Sequence, residues 1–101
     1  MVTYARGPRF NQDQKRLTRE QLARFMEVVY SEFVVDLKDH GSQGFRPRLR
    51  VKRVVSTRGV WEMTWAPDGR ATFEYGEEIR TGEPHIIWRR VGTHDILRDP
   101  R

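Results

Sequence analysis

The chain has 101 residues, a formal net charge of +5 and no cysteine, which excludes disulfides and thiolate metal sites. With 37% apolar and 33% charged residues, including three Trp, five Phe and three Tyr, it has material for one small core, and neither a second domain nor wholesale disorder is expected. His40, His85 and His94 show no metal-ligand spacing, and no apolar run approaches the ~20 residues that span a bilayer. A single cytoplasmic domain over residues 1–101, without membrane, metal or cofactor, is the expectation.

In chain order, an extended N-terminal segment runs to Gly7-Pro8, after which Asn11 is placed to cap a short helix through Lys15. Thr18 reads as the N-cap of a longer helix, with Gln21 completing a capping box and Leu17 and Leu22 forming a hydrophobic staple. Leu22, Phe25, Met26, Val29, Phe33 and Leu37 recur at three- and four-residue intervals, predicting about six turns that end near Lys38 and His40 before Gly41. That stripe reads as core packing, and the opposite charged face as solvated. After a Gly-containing loop, Leu49 to Val55 reads as a strand with Leu49 and Val51 on one face and Arg50 and Lys52 on the other.

Pro67-Asp68-Gly69 fits a three-residue hairpin loop with Gly in the left-handed position, so that Ala66 faces Arg70. This register puts Trp61, Met63, Trp65, Ala71, Phe73 and Tyr75 on one face and Glu62, Thr64, Arg70, Thr72 and Glu74 on the other. A four-residue loop would mix the two sets, which a half-buried sheet penalises. A polar loop from Glu77 to Pro84 precedes a last strand from His85 to about Val91. The order is that of an α+β domain, with N-terminal helices on one face of an antiparallel sheet of about four strands.

Charge is distributed unevenly. Arg46, Arg48, Arg50, Lys52, Arg53 and Arg58 occur without an intervening acid, and 16 of the 19 basic residues are arginine. Arginine suits phosphate recognition, although coding bias would produce the same count. His94, just past the last strand, could move protons beside such guanidinium groups; a surface or capping role is the plainer alternative.

These pieces, from RFNQDQKRLT through LRVKRVVSTRGVWEMTWAPDGRATFEYG to HIIWRRVGTHDIL, together resemble the RelE/ParE superfamily of bacterial type II toxin-antitoxin toxins, and within it the RelE- and YafQ-like ribonucleases. The resemblance implies a RelE-like fold and a metal-independent endoribonuclease that binds messenger RNA in the ribosomal A site and cleaves it through the RNA 2′-hydroxyl. It also implies a cognate antitoxin and a toxin that is monomeric when free.

Carried over by position, Arg70 matches the arginine after the hairpin turn that stabilises the transition state, His94 the C-terminal proton-transfer histidine, and Lys52 the residues that hold the RNA backbone. The resemblance makes Arg50, Arg53 and Arg90 candidate helpers in RNA binding, and Trp88 is a candidate for base stacking because the tail LRDPR lacks a terminal aromatic residue. Glu62 shares a face with Arg70 and is either a general base or half of a cross-strand salt bridge. Glu62 and Thr64 stand where RelE has lysines, so a lysine-based mechanism is unsuited. Two other functions stay open: a ParE-like toxin that binds DNA gyrase, and a noncatalytic nucleic-acid-binding accessory domain.

Overall fold

The computed structural model describes residues 2–41 and 44–101. Strand β1 (Thr3–Arg6) leads through Gly7 into helix α1 (Pro8–Arg16). The helix starts three residues before the expected Asn11 cap, because Pro8 at the first turn supplies a helical φ and lacks only an N–H that would have no partner there. The predicted capping box is present: Thr18 accepts from the Gln21 backbone N–H at 3.1 Å and the Gln21 side chain accepts from the Thr18 N–H at 2.8 Å.

From that cap run α2 (Arg19–Val28), a π-helical stretch (Val29–Phe33) and α3 (Val34–His40). Phe25, Val29, Phe33 and Leu37 are buried as expected; Met26 lies 39% exposed, and Val28 and two acids, Glu32 and Asp36, are buried as well. The charged face expected to be solvated is thus partly an anchoring face. Asp36 accepts from the Arg46 backbone N–H at 2.9 Å and from its guanidinium at 2.8 and 2.9 Å, and Glu32 accepts from Arg48 at 2.8 Å.

The Gly-containing loop after His40 falls partly outside the described residues. The strand expected over Leu49–Val55 is largely replaced: Pro47–Leu49 is a 3-10 turn, Arg50 has a left-handed backbone (φ 47°, ψ 43°), and β2 is only Lys52–Arg53. Pro47 cannot donate to a ladder, and the Asp36 anchor at Arg46 holds the chain beside the helix until Arg50 redirects it.

Strands β3 (Trp61–Thr64), β4 (Gly69–Tyr75) and β5 (His85–Thr93) follow. The sheet has five strands in the order β1-β5-β4-β3-β2, all antiparallel except β1, which runs parallel to β5. The mixed fifth strand corrects the expected antiparallel four.

The hairpin keeps the predicted loop length and faces with its partners moved by two positions. Trp65 N–H donates to the Gly69 carbonyl at 3.1 Å and Arg70 pairs with Thr64, so the turn is Ala66 to Asp68. Gly69 is not in the left-handed region. It is needed because the Trp65 indole packs on it, and a Cβ there would come within 2.6 Å of the ring.

The core lies between the helices and one face of the sheet. Phe10, Phe25, Phe33 and Phe73 surround Trp88 with ring centroids 5.3–6.0 Å away. No described helix is long and apolar enough to cross a membrane.

Candidate nucleic-acid interface

The face of the sheet turned from the helices carries a cross-strand row. Lys52 pairs with Glu62, Glu62 with Thr72, and Thr72 with Arg90; directly opposed residues share a face. The neighbouring row is Thr64, Arg70 and Gly92. Lys52, Glu62, Arg70 and Arg90 therefore lie on one surface, which Glu62 and Arg70 were expected to share. His94 follows two residues after Gly92, which pairs with Arg70, and is exposed at the start of a 3-10 helix (His94–Arg98).

The other assignments separate. Sequence parity puts Trp88 and Arg90 on one face, but a β-bulge at Arg89 divides them: Phe73 pairs with Trp88 while the next residue, Thr72, pairs with Arg90. Trp88 turns into the aromatic core and is 5% exposed, so its ring is not open to a base. Arg53 pairs with Trp61 and lies on the face opposite to Lys52. Arg50 sits in the preceding loop, exposed and outside the sheet. Arg46 and Arg48 are committed to Asp36 and Glu32, leaving Arg50, Lys52, Arg53 and Arg58 without carboxylate partners among the described residues.

Arg70 is half-buried, and its Nη1 donates to the carbonyls of Gly69 at 2.9 Å and of Ala66 and Pro67 at 3.4 Å. Those bonds pin the guanidinium over the turn and occupy one of its nitrogens. Glu62 is buried and makes no ion pair among the described residues, so the expected cross-strand bridge is absent. Arg90 is held in a bidentate pair by Asp13 of α1, at 2.6 and 3.1 Å. His85, buried beside β1, makes a 2.7 Å hydrogen bond between Nδ1 and the Thr3 hydroxyl and serves the sheet.

Sequence reasoning put Thr72 on this face without a role, and nothing in the sequence marked Arg9. No group of three metal-binding side chains occurs among the described residues. A separate apolar groove of about 440 Å³ lies on the helix side, lined in part by Tyr4, Arg6, Met26 and Tyr30.

No protein-family model and no curated protein matches the sequence. Solved structures do match. The E. coli DinJ-YafQ toxin-antitoxin complex superposes with a TM-score of 0.62 at 13% identity, over 95% of this chain and 96% of the other. The chain has the YafQ toxin fold. E. coli YafQ solved by itself gives 0.57 at 14% identity over 96% and 98%, and the Helicobacter pylori protein HP0892 gives 0.56 at 18% over 96% and 99%. At these identities the likeness to YafQ is one of architecture alone.

Proposed function

We propose that this protein is the toxin of a toxin-antitoxin pair and acts as an endoribonuclease on messenger RNA at the ribosome. The observation that supports the reading is that Lys52, Glu62 and Arg70 share one face of a YafQ-type fold, with His94 just past the strand that pairs with Arg70.

In the proposed reaction the RNA 2′-oxygen attacks the adjacent phosphorus, its proton passing to a base. The bond to the 5′-oxygen breaks as that oxygen takes a proton, leaving a 2′,3′-cyclic phosphate and a 5′-hydroxyl. Negative charge grows on the nonbridging oxygens, where the remaining N–H groups of Arg70 would bind; losing such a contact commonly costs about 3 kcal/mol of barrier. Glu62, buried and without a cation partner among the described residues, suits the base, and exposed His94 suits the acid. Lys52, opposite Glu62, would hold a phosphate.

The antitoxin partner rests on the same likeness, since the E. coli structures hold YafQ with DinJ. Exposed Tyr4, Met26 and Tyr30 around the apolar groove are surface of the kind a protein partner covers.

The test is induced expression of wild type, Arg70→Ala and His94→Ala in bacteria, with primer-extension mapping of breaks in a reporter message and translation followed in parallel. Breaks that depend on translation and vanish in both variants are the expected result. Toxicity that survives His94→Ala with the message intact would instead identify a gyrase-binding toxin, and salt-sensitive binding without breaks a noncatalytic domain.

A further inference from the structure

The end of the chain crosses the polar face. Ile96 packs over Gly92, where a Cβ would come within 2.9 Å of its side chain. Beyond it the Asp99 carbonyl accepts from Arg90 Nη1 at 2.7 Å, and the Pro100 carbonyl accepts from Thr72 Oγ1 at 2.7 Å. Arg101 Nη2 then donates to the Arg58 carbonyl at 3.1 Å, in the loop before β3. From α1, Arg9 Nη1 donates to Asp99 Oδ2 at 2.8 Å and to the Arg101 carbonyl. Pro100 is buried, and Thr72, at the middle of the Lys52–Glu62–Thr72–Arg90 row, is wholly covered.

Two features make this more than a packed terminus. The donors are two guanidinium groups and a hydroxyl from three elements, the set that grips phosphate oxygens, and the tail supplies only oxygens to them, one from a carboxylate. The one ion pair that holds the tail among the described residues is also weak: the Arg9–Asp99 side chains are 43% and 70% exposed, and exposed pairs contribute little and are screened by salt. Arg90 does not depend on the tail for its position, because Asp13 holds it from the other side.

We infer that Arg9, Thr72 and Arg90 form a phosphate-binding subsite on the polar face, and that residues 98–101 are a strap occupying it until RNA displaces them. The inference rests on the RNA reading of this face and deepens it: the RNA backbone runs from the Arg70 end of the sheet along the row now under the strap. The strap's carbonyls stand where phosphate oxygens bind, so free protein binds RNA with an affinity reduced by the small fraction of open molecules.

The test uses a short fluorescein-labelled single-stranded RNA with 2′-O-methyl groups, which cannot cleave itself, titrated by fluorescence anisotropy at fixed ionic strength. The proteins are wild type, a chain ending at Leu97, Asp99→Ala and Asp95→Ala, with circular dichroism melts as a fold check. Asp95→Ala removes the same charge from the same tail and touches none of the strap's bonds. Opening the strap should tighten binding about fivefold or more in the truncated chain and about two- to threefold in Asp99→Ala, which removes only the exposed Arg9 pair, with no change beyond error for Asp95→Ala. Adding Arg9→Ala to the truncated chain should weaken binding at least about threefold by removing a phosphate contact.

Equal binding by wild type and the opened variants, or an equal gain from Asp95→Ala, overturns the strap while leaving the RNA reading in place. If neither closed nor opened protein binds the RNA, both fail together. Should the truncated chain not fold, Asp99→Ala with its surface side chain decides the question.

Discussion

Asp13 and Arg90, 77 positions apart, meet in a bidentate ion pair at 2.6 and 3.1 Å, and the Val91 N–H adds a third bond to the same carboxylate at 3.2 Å. The pair ties α1 to the bulged half of β5 and is nearly closed to water, with side-chain exposures of 7% for Asp13 and 11% for Arg90. Removing one partner strands the other charge in a poorly solvated place. Asp13→Ala should therefore destabilise the fold by about 3–5 kcal/mol, seen as a lower urea midpoint. A loss under about 1 kcal/mol would mean that Arg90 finds water or another acceptor once Asp13 is gone.

Gly69 and Trp65 are matched in a different way. The indole lies on the glycine and its Nε1 donates to the Arg70 carbonyl at 2.9 Å, so the ring both packs the turn and holds the residue that follows it. Gly69→Ala puts a methyl 2.6 Å from ring carbons and should cost about 1–3 kcal/mol through overpacking. Because the displaced ring is one of three tryptophans, the emission spectrum should shift as stability falls. Loss of stability without a spectral change would place the strain in the backbone instead.

The parts legible in the sequence were those that rest on local periodicity. The Thr18–Gln21 capping box and the two faces of the β3–β4 hairpin follow from side-chain spacing alone, so they survive even where the pairing shifts by two. What was not legible depends on contacts far along the chain. β1 is four residues long with mostly exposed side chains and gains its place by pairing with β5 more than 80 positions on. The bulge at Arg89, which sends Trp88 inward, leaves no composition signal. The arginine cluster was overread for a related reason: charge counts cannot tell Arg46, bound to a buried Asp36, from Lys52, which is exposed. The face of the candidate site was therefore readable, while its covering by residues 98–101 was not.

The Asp36–Arg46 anchor predicts an acid-side weakness. Hydrogen bonds and charge from Arg46 hold the Asp36 carboxyl below its ordinary value of 3.8 against the opposing effect of burial. The folded state thus favours the carboxylate more than the unfolded chain does. Its contribution is fully present above about pH 4 and is lost as pH falls through the lowered folded value. Urea midpoints measured from pH 5 to pH 2 should fall less steeply for Asp36→Asn than for wild type, with the variant weaker at pH 5. Parallel curves for the two proteins would remove Asp36 from the acid response.

Tyr75 predicts the opposite limb. Its hydroxyl is buried with no hydrogen-bond partner among the described residues, and burial pushes its pKa up from 10.0 to about 12. A buried unsatisfied hydroxyl is a cost to the fold, so Tyr75→Phe, which keeps the ring contacts with Trp61 and Phe73, should be neutral or stabilising by up to about 1 kcal/mol at pH 7. Above pH 10 the unfolded phenol ionises while the folded one stays protonated, which favours unfolding progressively up to about pH 12. Tyr30 adds to this loss in both proteins, since its pKa is also raised, chiefly by burial. The difference between wild type and Tyr75→Phe isolates Tyr75: the stability gap should widen in favour of phenylalanine between pH 10 and 12. A gap that stays constant with pH would show that the hydroxyl reaches water in solution.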